Sequence, residues 1–352
     1  MELLSVTMND GVKPRSEIEG KDNSSEDKSN YKIVRKGDMV YNSMRMWQGA
    51  NGISPCDGIV SPAYTVLMPK QEINNGYFAA LFKSANLINE FRKNSQGMTS
   101  DTWNLKYPQI ETIKIQIPSV SEQDKVSELF GVLDARIVAQ AQLVESLKKY
   151  KRGLLEHIFS DISKSYRSKK LRDLVNVSGG KTPSMNNSLY WNGDIVWISS
   201  KDMKSHRIYD SELKITELAL TEMTLYHPGT LLLVARSGIL KHTLPLAILE
   251  VDATINQDIK ALQVHGCDSL YLYYALLAKE DTIIRTHVKT GTTVQSLMMD
   301  SFLDIEIPIA DISQQQSIIS ELTMLEQYVD VHEKTLLALS QMKAGLMQQL
   351  FI

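Results

Sequence analysis

Apolar positions recur with helical spacing over two long stretches of the chain. Within each stretch they alternate steps of four and three residues, the a/d pattern of a coiled coil. In the first stretch eight of ten stripe positions are apolar, and the stripe reads Val126, Phe130, Leu133, Ile137, Gln140, Val144, Leu147, Lys151, Leu154 and Ile158. The second stretch has the same pattern at Ile318, Leu322, Leu325, Val329, His332, Leu336, Leu339, Lys343, Leu346 and Leu350. The pattern predicts two long α-helices.

The two stripes match position by position at an offset of 192 residues, and their polar interruptions match as well. Gln140 corresponds to His332, and Lys151 corresponds to Lys343. Each helix would be about 55–60 Å long, which exceeds the size of a domain of about 120 residues. We therefore expect the helices to pack on each other as an antiparallel coiled coil, although each could instead be an amphipathic helix lying on its own domain. The expected seam consists of Val126, Phe130, Leu133, Ile137, Gln140, Val144, Leu147, Ile318, Leu322, Leu325, Val329, His332, Leu336 and Leu339. Polar groups in such a seam fix its register.

The internal repeat extends beyond the helices. Residues 113–118 (IKIQIP) recur as residues 303–308 (LDIEIP), and residues 36–40 match residues 228–232. Gly97 and Thr99 likewise match Gly291 and Thr293. A two-copy repeat of about 190 residues indicates duplicated domains rather than a solenoid of short units.

The segments before each helix mix short strand-like runs with turns and one helical stretch. Strands are expected at residues 31–34, 39–41 and 63–67 in the first copy, and at residues 195–198, 230–235, 244–250 and 259–264 in the second. Helices are expected at residues 77–91 and 270–279, residues 17–30 form a predicted surface loop, and residues 161–170 form a polar connector. The fold class is therefore α+β, or mixed α/β, with two pseudo-symmetric globular domains. The predicted divisions are residues 1–118, a helix over 119–160, linker and second domain over 161–308, and a helix over 309–352.

Composition excludes several classes of protein. The chain of 352 residues is 43% hydrophobic and 22% charged, as in ordinary globular proteins. We find no export signal, and the two cysteines, Cys56 and Cys267, lie far apart, which predicts a reducing cytoplasmic location. The sequence contains no glycine-rich phosphate loop ending in Lys-Ser/Thr and no HExxH pattern. We therefore predict no catalytic residue, no bound metal and no cofactor held by this chain.

Several segments resemble the target-recognition domains of type I restriction–modification specificity subunits. They are residues 179–183 (GGKTP), 190–198 (YWNGDIVWI) and, in the first copy, 95–108 (SQGMTSDTWNLKYP). The resemblance implies a non-catalytic DNA-binding subunit that recognises a bipartite double-stranded target. It also implies two methyltransferase subunits that use S-adenosylmethionine to methylate adenine, and restriction subunits that use ATP and Mg²⁺. The first copy departs from this pattern because no counterpart of the opening residues 171–183 precedes its first strand, so we expect its domain to be incomplete at the N-terminus.

Base reading requires polar side chains on loops, with Arg and Lys suited to guanine and Asn and Gln suited to adenine. Two loop types supply such side chains in both copies. The candidate DNA-binding residues are Asn42, Ser43, Arg45, Gln48, Gln96, Thr99, Ser100, Thr102, Asn104, Lys181, Arg236, Ser237, Lys241, Lys289, Thr292, Thr293 and Gln295.

Other interpretations remain open for these loops and for the chain. The glycines and threonines could simply form tight turns, and Arg45 or Arg236 could pair with a local carboxylate. The net charge of −3 lacks the basic excess usual for DNA binders, so partners would have to supply phosphate contacts. The competing functions are a non-DNA coiled-coil scaffold with two peptide-binding lobes, and an enzyme whose active site has no recognisable motif.

Overall fold

The computed structural model describes residues 1–8, 10–20, 24–289 and 294–351. The chain divides into two compact units. Unit 1 comprises Met1–Leu143 and His332–Ile352, and unit 2 comprises Val144–Val331. Each unit therefore combines one globular lobe with a part of each of two long helices. Within the described ranges, no helix is both long and apolar enough to cross a membrane.

Unit 1 contains two small sheets and short helices. Its strands are β1 (Glu2–Thr7), β2 (Gly11–Pro14), β3 (Lys32–Val34), β4 (Met39–Asn42), β5 (Asn51–Ile53), β6 (Gly58–Val60) and β7 (Tyr64–Leu67). Its helices are α1 (Asn75–Leu81), α2 (Ala85–Asn94), α3 (Tyr107–Ile110) and the first part of α4 (Val120–Ser165). The sheets have the strand orders β2-β1-β6-β3 and β5-β4-β7. Strands β1 and β6 pair in parallel, whereas β4 pairs antiparallel with both β5 and β7.

Alternation along β4 divides the core of unit 1. Val40 belongs to a buried cluster with Val34 and Val60, while Met39 and Tyr41 belong to a second cluster that includes Phe91. Side chains on a strand alternate between its two faces, so one strand can supply both clusters.

The single helix expected over residues 77–91 is instead the two helices α1 and α2. Ser84 interrupts it in an extended conformation, with its hydroxyl accepting a hydrogen bond from the amide of Leu87 at 3.4 Å. A serine that caps a new helix ends the preceding one, although the apolar spacing continues through it.

Unit 2 repeats this scheme with a larger number of described strands. Its strands are β8 (Ser168–Lys170), β9 (Val175–Gly179), β10 (Trp191–Ile198), β11 (Arg207–Ile208), β12 (Leu213–Ile215), β13 (Leu231–Val234), β14 (Leu246–Leu249), β15 (Ala253–Ile255), β16 (Ile259–Val264), β17 (Val288–Lys289), β18 (Ser296–Leu297) and β19 (Glu306–Pro308). Its helices are α5 (Glu217–Leu220), α6 (Ser269–Leu277), α7 (Glu280–His287), α8 (Met299–Phe302) and the first part of α9 (Ile312–Leu350). The largest sheet has the order β11-β14-β13-β16-β9.

Every residue of β13 is buried, and alternation again assigns its side chains to two clusters. Leu231 and Leu233 pack with helix α6, whereas Leu232 and Val234 pack with β10 and β15. The pairing of β10 with β15 is parallel, as is that of β1 with β6, so the two lobes share their topology as well as their sequence pattern.

The long helices run antiparallel within each unit. In unit 1, Asp134 of α4 contacts Lys343 of α9 and Gln140 contacts His332, so residue numbers rise along one helix as they fall along the other. In unit 2, Lys151 of α4 contacts Glu326 of α9. The fourteen expected seam residues are all buried or partly buried, the most enclosed being Leu322, Ile318, Phe130, Val329, Leu133, Val144 and Gln140.

Two expectations need correction, one about the connector after the first long helix and one about the alignment of the repeat. The first long helix extends through Ser165, and β8 follows at Ser168, so most of the connector expected over residues 161–170 has regular structure. The matching of residues 113–118 with 303–308 is shifted by two residues. Gln123 donates to the oxygen of Pro118 at 2.9 Å, and Gln315 donates to that of Ala310 at 2.8 Å. The offset of 192 therefore holds here also, and Pro118 corresponds to Ala310.

Candidate nucleic-acid interface

The first candidate loop of unit 1 leaves β4 as a tight turn. The side-chain Oδ1 of Asn42 accepts a hydrogen bond from the main-chain amide of Met44 at 3.0 Å. The main-chain oxygen of Asn42 accepts one from the main-chain amide of Arg45, also at 3.0 Å. These bonds orient the Arg45 side chain into solvent, while Gln48 is half-buried. Ser43 is only 7% exposed, and its hydroxyl donates to the oxygen of Ala63, so Ser43 supports the loop rather than presenting a free hydroxyl.

The second candidate loop of unit 1 is a short hairpin. Gln96 and Asn104 pair through both main-chain bonds, 3.0 and 2.8 Å long, and Thr102 bonds back to Thr99. Thr99, Ser100 and Thr102 are exposed at its tip, and at its base Gln96 is exposed whereas Asn104 is half-buried. The hairpin therefore presents its tip to solvent on a hydrogen-bonded base.

The structure brings these two loops of unit 1 together. The amide of Leu105 donates to the oxygen of Ser43 at 2.8 Å. The rings of Trp47 and Trp103 meet edge to face, with centroids 5.1 Å apart, and the guanidinium of Arg92 lies 5.9 Å from the Trp47 ring centre. Both tryptophans therefore join the loops to each other as packing anchors.

In unit 2 the first loop follows β13 and is held by the turn before β16. The amides of Ala235 and Arg236 donate to the oxygen of Asp258, at 2.8 and 3.3 Å. Arg236 and Lys241 are exposed, and Ser237 accepts a hydrogen bond from the Ile239 amide at 3.4 Å.

Lys181 reaches the other side of the same turn. Its amide donates to the oxygen of Ile255 at 3.0 Å, and its side chain is exposed. Gly180 makes this approach possible, because a Cβ at that position would lie 1.9 Å from the Ile255 oxygen. Lys181 and Arg236 therefore lie at the same end of the five-stranded sheet.

The second loop of unit 2 connects β17 to β18. Lys289 pairs with Ser296, and the Gln295 oxygen accepts from the Ser237 amide at 3.1 Å, so this hairpin contacts the first loop. Lys289 is exposed and Gln295 is half-buried. Candidates Thr292 and Thr293 lie outside the described residues.

The same contacts join the loops in both units. The Leu105 amide bonds the Ser43 oxygen in unit 1, and the Leu297 amide bonds the Ala235 oxygen in unit 2, each at 2.8 Å and each 192 residues from its counterpart. Loops that are distant in sequence therefore form one joint surface at the end of a sheet in each unit.

The cationic side chains on these surfaces have no carboxylate partners among residues 1–8, 10–20, 24–289 and 294–351. They are Arg45, Lys181, Arg236, Lys241 and Lys289, and all are exposed. Elsewhere many cations are paired, for example Lys93 with Glu90 at 2.7 Å and Arg172 with Asp304 at 3.0 Å. The alternative that Arg45 or Arg236 pairs with a local carboxylate is therefore not seen in the described structure. An exposed unpaired cation keeps its charge available to a phosphate or a base edge.

Sequence reasoning missed two exposed lysines at this end of unit 2. Lys201 and Lys204 follow β10, whose last residue Ile198 accepts a hydrogen bond from the Asn256 amide at 2.9 Å. This bond joins the loop after β10 to the turn that holds Lys181 and Arg236. The only local signal was their position just after a strand, because the contact with Asn256 depends on the tertiary fold.

Comparisons with known proteins identify the family. The model of the type I restriction modification DNA specificity domain matches residues 5–149 and again residues 163–341. The specificity subunit of the Escherichia coli type I restriction enzyme EcoR124I/EcoR124II is 33% identical over 217 residues, or 58% of this chain and 54% of that protein. The MjaIX specificity subunit of Methanocaldococcus jannaschii is 32% identical over 197 residues, or 54% of this chain and 45% of that protein. The chain thus spans about half the length of these curated relatives.

Solved structures support the same fold. The type I restriction–modification S subunit from M. genitalium matches with a TM-score of 0.60 at 16% identity, covering 91% of this chain and 84% of that one. A chain from a structure on complex assembly and conformational transition of the type I R-M system matches with a TM-score of 0.56 at 16% identity, covering 93% and 84%. The fold expectation of two mixed α/β domains with two long helices is confirmed. The two matches to the family model cover most of the sequence, and the chain therefore belongs to the family of type I restriction–modification DNA specificity proteins.

Proposed function

We propose that this chain reads a bipartite double-stranded DNA target, with the joint loop surface of each unit contacting one half-site. The observation that carries the proposal is the convergence of two loops in each unit, with exposed cations that have no described carboxylate partner. Exposed Gln96 in unit 1 and Arg236 in unit 2 have the chemistry that reads adenine and guanine edges, respectively.

The paired helices give a reason for a fixed spacer between the half-sites. Helix α4 has 46 residues, which corresponds to about 69 Å at 1.5 Å per residue, and it begins in unit 1 and ends in unit 2. Polar contacts in the seam favour one register. We propose that the helix pair sets the number of unread base pairs.

We further propose that the chain is not catalytic and that its helices dock partner subunits. Their outward faces carry exposed apolar residues, including Leu129 and Val132 on α4 and Met324 and Val331 on α9. Exposed apolar patches of this kind mark protein interaction sites. Methyltransferase subunits would bring S-adenosylmethionine, and restriction subunits would bring ATP and Mg²⁺. Basic surfaces on these partners would compensate for the net charge of −3.

The test is methylome sequencing of a host that expresses this chain with a type I methyltransferase partner. We expect a methylated two-part motif that disappears when the chain is deleted. The double variant Arg236→Gln, Lys289→Gln should alter one half of the motif. Lys214→Gln is the matched control, since Lys214 lies in the same unit but pairs with Asp210 at 3.1 Å.

The result also separates the competing functions. A scaffold with peptide-binding lobes, or an enzyme with another substrate, predicts no methylated motif that depends on this chain. Equal loss of both half-site preferences in the double variant would contradict the assignment of one half-site to each unit.

A further inference from the structure

A groove of about 430 Å³ lies beside β7 in unit 1. Its apolar lining includes Leu67, Met68, Phe78, Phe82, Ile113 and Ile115. Met68 is 84% exposed and Ile115 is 38% exposed, which are high values for large apolar side chains in a folded domain. The groove therefore presents apolar surface that another group could bury.

Strand β7 borders this groove with one unpaired edge. It pairs with β4, and no other described strand pairs with it. In unit 2 the equivalent strand is β16, because Met39 pairs with Leu67 just as Leu231 pairs with Leu262. Strand β16 has a partner on both edges, namely β13 and β9.

Unit 2 fills the equivalent place with its own residues 168–179. Strand β8 pairs with β19, the Leu171 amide donates to the Ile305 oxygen at 2.9 Å, and β9 then pairs with β16. Leu171 and Leu174 from this segment are both fully buried. One segment thus supplies two strand pairings and two leucine side chains to the core of unit 2.

Equivalent residues of the two units differ in exposure where residues 168–179 are present in unit 2. At the offset of 192, Ile115 in unit 1 corresponds to Ile307 in unit 2. Ile307 lies in β19, which pairs with β8 of the segment, and is 0% exposed, whereas Ile115 lies outside any strand and is 38% exposed. Leu262 is likewise fully buried, while its counterpart Leu67 is only partly buried.

We propose that the groove of unit 1 is a binding site for an extended peptide with the chemistry of residues 168–179 (SKKLRDLVNVSG). The ligand carries two leucines three positions apart, followed by a strand with alternating side chains. The leucines fill the groove, and the strand adds antiparallel to the free edge of β7 as β9 adds to β16. This site is independent of DNA recognition, because neither the groove lining nor the β7 edge includes a candidate base-reading residue.

The experiment adds a fluorescent synthetic peptide of residues 167–180 to the full chain and measures polarisation. We expect saturable binding, at least tenfold weaker for the same peptide with Leu171→Asp and Leu174→Asp. The chain variant Ile115→Asp should also weaken binding at least tenfold. The matched variant Ile312→Asp should not, because Ile312 is 74% exposed, belongs to unit 2 and is not among the residues that line the groove.

Hydrogen exchange distinguishes strand addition from nonspecific apolar adsorption. Bound peptide should slow exchange of the main-chain amides of Val66 and Met68, which face away from β4, whereas adsorption alone would leave them unchanged. Equal binding of the two peptides, or no slowing at Val66 and Met68, would overturn the proposal. So would a concentration-dependent dimer that Ile115→Asp disrupts and the peptide does not, since the groove would then be a self-association surface.

Discussion

The side-chain amide of Gln140 donates to both the Nδ1 and the main-chain oxygen of His332, at 2.9 Å in each case. With Nδ1 as an acceptor, the imidazole proton lies on Nε2. These two residues occupy equivalent repeat positions, so one polar pair in the seam arises from the same position of both helices. The pair satisfies groups in a seam that otherwise consists largely of aliphatic side chains.

Removing only one member of this pair should be worse than removing both. Gln140→Leu leaves the imidazole without its donor, and we expect a loss of about 1–3 kcal/mol. The double variant Gln140→Leu, His332→Leu should regain part of that loss, because it also removes the imidazole Nδ1 that Gln140→Leu leaves without this donor. Thermal unfolding followed by circular dichroism measures the order of stability. A double variant less stable than Gln140→Leu would show that the pair contributes to stability beyond satisfying the hydrogen-bonding groups of its own two side chains.

Glu326 and Asp134 provide a second comparison, between repeat positions that differ in burial. The carboxylate of each forms an ion pair with a lysine of the opposite helix. Glu326, however, is only 3% exposed, and its carboxylate also accepts hydrogen bonds from the hydroxyls of Tyr274 at 2.9 Å and Tyr273 at 3.3 Å. Burial raises the pKa of both tyrosines, so they remain protonated donors at neutral pH.

Glu326→Ala should therefore destabilise unit 2 by about 3–5 kcal/mol, since it leaves Lys151 without a carboxylate in a largely buried site. Asp134→Ala should change stability by less than about 1 kcal/mol, because that pair is substantially exposed. Denaturant unfolding of both variants gives the comparison. Similar losses at both positions would mean that burial does not govern the strength of these pairs.

Periodicity in the sequence predicted the helix pair and its two polar interruptions, because a coiled-coil seam depends on spacing along one chain. The repeat likewise predicted two similar lobes. The residues that the polar seam side chains contact could not be predicted from periodicity. Lys151 meets Glu326, which lies outside the apolar stripe, and Tyr273 and Tyr274 reach Glu326 from a separate helix.

The candidate loops were found from residue chemistry, but their convergence was not predictable. It depends on the contacts of Leu105 with Ser43 and of Trp47 with Trp103, which connect segments about sixty residues apart. Ser43 likewise has the chemistry of a base reader, but tertiary packing buries it. Its role could not be separated from that of neighbouring Arg45 by sequence alone.

Gly97→Ala should alter recognition of one proposed half-site. Gly97 has φ +149°, and a Cβ there would lie 2.6 Å from the main-chain oxygen of Thr102. Since that oxygen belongs to the backbone, the hairpin itself must move. We expect methylome sequencing to show relaxed or lost preference in one half of the motif. Gly37→Ala is the control, because it also has positive φ but meets nothing within 4 Å and lies in another turn. An unchanged motif with Gly97→Ala would exclude this hairpin from base reading.

Cys267 should react slowly with alkylating reagents. Burial raises the pKa of its thiol to about 11, against an ordinary value of 9.0. Because the thiolate is the nucleophile, the raised pKa lowers the reactive fraction at pH 8 about a hundredfold. Mass spectrometry should show that alkylation of Cys267 rises about tenfold per pH unit up to about pH 11. Urea-denatured chain provides the control and should react at the ordinary rate. Equal rates in folded and denatured chain would contradict the burial of this thiol.

Gly153 and Gly345 should be positions where alanine stabilises the long helices. They are repeat counterparts in α4 and α9, and a Cβ at either position would meet nothing within 4 Å. Alanine restricts the unfolded chain more than glycine does, so each substitution should add about 0.5–1 kcal/mol in the helix interior. Thermal unfolding should show a higher midpoint for each single variant, with additive effects in the double variant because the two residues lie in different units. Gly58→Ala is the opposing control, since its Cβ would lie 2.5 Å from the Glu2 oxygen and should lower the midpoint. A lower midpoint for Gly153→Ala would mean that this helix face packs against backbone more closely than the structure indicates.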